Sequence, residues 1–158
     1  MNHENTTVTP TPAVQNIPNH YLYCFATDEA CPRASHCLHA TAARLLGQSG
    51  RTDPPALQSV SPVYIQKSAA QCSFFRDSTP VRFARGMTHL FDLVPYKQLR
   101  QVRLQVMGCF SCERYFYYSQ EGKRLITPQE QKAIQNVFRR AGISPVPDFD
   151  EYSEGVNW

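Results

Sequence analysis

A chain of 158 residues, 42% of them hydrophobic and 11% aromatic, can build a buried core and is neither fibrous nor wholly disordered. Its net charge of +3, from 16 Lys and Arg against 13 Asp and Glu, excludes binding of polyanions through overall field alone; a basic surface must come from clustering. No apolar run approaches the about 18 residues that cross a bilayer, so no membrane partner is expected.

The opening "MNHENTTVTPTPAVQNIPNH" lacks the charged start and apolar run of a secretory signal. The expected location is therefore the cytoplasm, where six cysteines act as thiols or metal ligands more readily than as disulfides. Residues 1–19 are Thr- and Pro-rich and carry few apolar anchors, which predicts a mobile arm. A single globular α+β domain is expected over residues 20–158, with three or four helices and a small antiparallel sheet.

"HYLYCF" reads as a short extended segment. After it, Pro32 suits a first helical turn, and Ala34, Cys37, Leu38, Thr41, Ala42 and Leu45 recur at helical spacing up to a stop at Gly47. This places Cys37 on the core face, with His36, His39 and Ala43 on a neighbouring face, where the two imidazoles either meet one ligand or simply stand exposed. "GQSGRTDPPALQ" is a loop by composition. "SPVYIQ" and "TPVRFAR" read as weak or edge strands, because each opens on Pro and is rich in β-branched or aromatic residues.

"MTHLFDLV" reads as a short helix ending before Pro95, and Pro95 opens a second over "PYKQLRQVRLQVMG". On that helix Leu99, Val102 and Val106 form the inward stripe, while Lys97, Arg100 and Arg103 repeat every third residue on another side. These three are the best candidate nucleic-acid face, although a solvated helix surface has the same pattern. "ERYFYYSQEGKRLI" reads as strand, turn and strand, with aromatics that suit either a sheet face or base stacking. Thr127, Pro128 and Glu130 then match a capping box, and Ala133, Ile134, Val137, Phe138 and Ala141 supply the apolar stripe of a helix ended by Gly142.

No phosphate loop or nucleophile elbow occurs, and no carboxylate pair stands out, so no catalytic residue is nominated. The chemistry rests on the cysteines. Six residues separate Cys24 from Cys31 and five separate Cys31 from Cys37, spacings that permit a loop-wrapped cluster completed by Cys72. That set would suit zinc or an iron-sulfur cluster. Free cysteine also packs as a small apolar side chain, which accounts equally for an inward Cys37. Cys109 and Cys112 form a close pair and the redox alternative, but they are expected to precede a strand rather than open a helix, unlike a disulfide oxidoreductase.

Four phrases, "CPRASHCL", "QCSFFRDSTPVRFARGM", "GKRLITPQEQ" and the ending "FDEY" with its terminal Trp, resemble an uncharacterised domain-of-unknown-function family of small bacterial proteins. The resemblance covers most of residues 20–158. It implies a bacterial cytoplasmic protein and carries over no catalytic residue. The residues' own chemistry points to a non-enzymatic binding or regulatory module in which Cys24, Cys31, Cys37 and Cys72 either pack as small apolar side chains or hold a structural metal, the alternatives being a thiol redox protein using Cys109 and Cys112 and a nucleic-acid binder using Lys97, Arg100 and Arg103.

Overall fold

The structure is a computed structural model that describes residues 13–52 and 55–158, so the expected arm falls largely outside the described residues. The chain forms two compact units. The first runs to Pro80 and takes back Val156–Trp158; the second is Val81–Gly155.

In the first unit, strand β1 (Leu22–Tyr23) leads through a 3-10 turn (Ala34–His36) to helix α1 (Leu38–Gln48). The expected continuous helix from Pro32 is broken at Cys37, whose backbone is extended at φ −104°, ψ 125°. Cys37 bridges Asp77 antiparallel, and the flanking bonds Leu38 N–H to Arg76 O and Ser78 N–H to His36 O measure 2.8 and 2.9 Å. Tertiary pairing with residues 76–78 thus outweighs helical continuity. Cys37 faces inward as expected, but His39 and Ala43 are buried too, because Tyr21 and Tyr23 cover that side of α1.

Strand β2 (Gln58–Ser59) pairs parallel with β1, Leu22 opposite Gln58 and Tyr23 opposite Ser59. Helix α2 (Pro62–Ser68) occupies the stretch expected as a strand. Ser61 and Pro62 supply a helix start, and only Ile65 of α2 is buried, so the β-branched residues gain no sheet partner. A 3-10 turn (Ala69–Gln71) then delivers Cys72.

In the second unit, β3 (Val81–Arg85) is the middle strand of an antiparallel sheet rather than an edge. Pro80 stands just before it, outside the ladder, where its missing N–H has no cost. Residues 87–94 make successive turns instead of the expected helix, anchored by the fully buried Met87 and Leu90. Helix α3 (Tyr96–Met107) follows Pro95 as expected.

Helix α4 (Glu113–Gln120) replaces the expected aromatic strand. Phe116 and Ser119 are its buried positions, a spacing of three that puts both on one helical face. The expected hairpin turn at Gly122 is a helix C-terminus: φ is +71°, and Lys123 N–H reaches back to Tyr118 O at 2.8 Å. Strand β4 (Leu125–Ile126) pairs with β3, and α5 (Pro128–Arg140) begins with the capping box read from sequence. Strand β5 (Glu151–Gly155) lies on the other side of β3, Val81 opposite Gly155 and Arg85 opposite Glu151.

The molecule is α+β, and the described residues hold five α-helices against the three or four expected. The sheets also differ from expectation: one is the three-stranded antiparallel sheet, the other the two-stranded parallel pair. The second unit has the large core, including Val106, Phe116, Ile126, Ile134 and Phe138. The first has two small clusters rich in alanine.

Candidate metal centre

Four chain segments of the first unit bring Cys24, Cys31, Cys37 and Cys72 to one cavity of about 20 Å³, closed otherwise by Ala26, Ala34, Ala40, Ile65 and Phe75. Cys24 follows β1 and its N–H donates to His39 O at 3.0 Å; Cys31 closes a turn by donating to Thr27 O at 2.9 Å. Cys37 is fixed at the start of α1 by the Asp77 bridge. The Cys72 carbonyl accepts from Phe75 N–H and from Arg33 Nη2, each at 3.3 Å.

Burial raises the Cys24 thiol above its ordinary pKa, the Ala26 N–H opposes that rise, and the neighbouring Cys37, Cys31 and Cys72 add to it. Among the described residues, no group of three or more His, Cys, Asp and Glu side chains is placed to hold a metal ion.

Arg33 is the residue that spacing did not nominate. Its guanidinium carbon lies 4.3 Å from the ring centroid of Phe75, a wall of the cavity. Its Nε is buried without a hydrogen-bond partner. A cation two residues after Cys31 was the available signal, but its burial depends on the fold.

The histidines separate. His36 is exposed. His39 is buried, with Nδ1 2.6 Å from Leu22 O and its ring 5.0 Å from that of Tyr21. Burial pushes the His39 pKa down and Arg76 adds to this, against the Leu22 and Phe74 carbonyls. It packs as a buried ring against Tyr21 and does not line the four-cysteine cavity.

The redox pair lies in the second unit, between α3 and α4. It precedes a helix, not a strand, and Cys112 rather than Cys109 stands at the α4 N-cap. Cys109 is half-buried, donates to Gln105 O at 3.5 Å, and has its pKa raised by burial and by Glu130. Of the basic set on α3, Lys97 and Arg100 are exposed. Arg103 turns inward, 5.7 Å from the Phe91 ring and 5.2 Å from that of Phe116, and donates to Gln120 Oε1 at 3.4 Å.

Fold and site together define an α+β protein with a four-cysteine cavity in its first unit. The chain belongs to a family of unknown function, DUF6078, whose model matches residues 1–158. No curated protein and no solved structure matches it. Among the described residues no helix is long and apolar enough to cross a membrane.

Proposed function

We propose that the protein is a non-enzymatic binding or regulatory module of the bacterial cytoplasm whose first unit is held together by one soft metal ion, ligated by Cys24, Cys31, Cys37 and Cys72. The observation that carries this reading is the arrival of these four cysteines, from separate segments, at one cavity. Four thiolates suit a tetrahedral zinc, with zinc to sulfur distances of about 2.3 Å.

Size favours one ion over a cluster. A cavity of about 20 Å³ has room for about one water-sized sphere. An iron-sulfur cluster is larger than this cavity.

The need for a staple also differs from that of an undivided 158-residue domain. The first unit runs to Pro80 and takes back only Val156–Trp158. Its clusters centre on Tyr21, Tyr23, Ala42 and Ala43, and on Ala34, Cys37 and Ala40. Units of this size seldom gain enough stability from apolar burial alone, and a structural zinc contributes about 10–16 kcal/mol.

The test is metal analysis of protein purified without oxygen. One zinc per chain is expected, lost when Cys24, Cys31, Cys37 or Cys72 becomes Ser and retained when Cys109 and Cys112 do. Protein that binds neither zinc nor cobalt in titration, with all four thiols reduced, makes the cluster simple packing and overturns the reading.

A further inference from the structure

Helices α3 and α5 leave a groove of about 550 Å³ between them, wholly within the second unit. Ligand sites commonly measure about 300–1,000 Å³. Gln98, Gln101 and Gln105 line it from α3, and Val137, Arg140 and Ala141 from the α5 side; spacings of three and four keep each set on one helical face. Buried Val102 and half-buried Cys109 lie between them.

The two helices run in opposite directions. Phe91, before α3, has its ring 6.1 Å from that of Phe138, near the end of α5. Phe110, beyond α3, has its ring 5.9 Å from the guanidinium carbon of Arg124, and Arg124 pairs with Glu130 in the first turn of α5. Arg140 therefore stands at the Gln98 end of the groove and Cys109 at the Glu130 end. Among the described residues Arg140 is the only charged side chain of the lining. The negative end of α5 and the positive end of α3 meet there and largely offset each other, so Arg140 sets the sign. Its side chain and those of the three glutamines have no hydrogen-bond partner among the described residues. Arg139 and Gln131 of the same helix are engaged, with Asn136 and with the Arg82 and Ile126 carbonyls.

We propose that this groove binds the carboxyl-terminal end of a peptide chain, with the terminal carboxylate on Arg140 and the preceding amides on the glutamines. A guanidinium fork matches a carboxylate, and each glutamine offers both a donor and an acceptor to a peptide group. Gln98 to Gln105 spans about 10 Å of helix, the length of about three extended residues. Val102, Val137 and Ala141 give small apolar side chains a place to pack. The site is separate from the four-cysteine cavity and stands whether or not the first unit takes up a metal.

Equilibrium dialysis of the 158-residue chain against a library of N-acetylated tripeptides, each supplied as free acid and as amide, tests it, followed by calorimetry with the best-retained acid. Acids with small apolar side chains should be held at least about tenfold better than their amides. Arg140→Met should weaken binding by at least about tenfold and Gln101→Ala by about 2- to 10-fold, while Arg139→Met, outside the groove, binds as the wild type does. No retention with peptide at about 1 mM, equal retention of acids and amides, unchanged affinity in Arg140→Met, or an equal loss in Arg139→Met overturns the proposal. Should Arg140→Met fail to fold, Gln101→Ala decides alone, and unchanged affinity there overturns it.

Discussion

Asp150 holds Thr88 at three points: its carboxylate accepts the Thr88 N–H at 3.1 and 3.0 Å and the Thr88 hydroxyl at 2.6 Å. Gly86 lies beneath this clasp with φ +77°, and a Cβ added there would stand 3.0 Å from the Asp150 Cβ and closer still to a carboxylate oxygen. Gly86→Ala therefore combines a left-handed backbone cost of about 1–2 kcal/mol with displacement of the clasp. The expected loss is at least about 2 kcal/mol in urea unfolding. Gly47→Ala, in a helix with nothing within 4 Å of the added Cβ, should instead be neutral or stabilising.

The same clasp makes the fold sensitive to acid. Burial alone would raise the Asp150 pKa, but the Thr88 hydroxyl and amide and the His89 amide together hold it below the ordinary 3.8. A carboxylate depressed by folding contributes stability that is full above pH 3.8 and is lost as pH falls through its lowered folded value. Asp150→Asn should flatten the acid limb of the stability curve, measured as urea midpoints stepped downward from pH 5, and lower the plateau above it.

Local chemistry was the readable part of this fold. The capping box of α5 is complete, with Glu130 N–H reaching Thr127 Oγ1 at 3.3 Å and Thr127 N–H reaching Glu130 Oε2 at 2.9 Å, because all its partners lie within one turn. Segments 62–68 and 113–120 misled for the opposite reason. Their β-branched and aromatic residues favour strands, yet no sheet edge receives them and Ile65, Phe116 and Ser119 need only a helical face. Cys24, Cys31, Cys37 and Cys72 could be grouped by spacing, whereas the burial of His39 and Arg33 depends on Tyr21 and Phe75, contacts that no local pattern encodes.

The two second-unit cysteines should differ sharply in reactivity. Cys112 is exposed at the start of α4, while Cys109 is half-buried with a raised pKa, and only the thiolate reacts. Limiting iodoacetamide on native protein, followed by peptide mass analysis, should label Cys112 well ahead of Cys109. Equal labelling would instead indicate an activated pair and favour the redox alternative.

Arg124 and Glu130 form a two-pronged ion pair, Nη1 to Oε2 at 3.0 Å and Nη2 to Oε1 at 2.9 Å. Their side chains are only 26% and 14% exposed, and the same carboxylate completes the α5 cap. Glu130→Ala removes both contacts and leaves a poorly solvated guanidinium, for an expected cost of about 3–5 kcal/mol. Arg124→Met removes the pair but spares the cap and should cost less. Reversed ranking in chemical denaturation would show that a carboxylate left unpaired here costs more than an unpaired guanidinium and a lost cap together.

His39 supplies the sharpest contrast between packing and ligation. Its Nδ1–H donates to Leu22 O at 2.6 Å and its ring lies against Tyr21, so the side chain fastens α1 to β1 from within the first unit. His39→Phe keeps an aromatic ring beside Tyr21 but strands the Leu22 carbonyl, for about 1–3 kcal/mol. His39→Ala also empties the space the ring fills and should cost more. Because the imidazole does not line the four-cysteine cavity, His39→Phe is expected to take up as much zinc as the wild type does in the same titration, while its thermal midpoint falls. A folded His39→Phe that takes up less zinc than the wild type would make His39 a ligand.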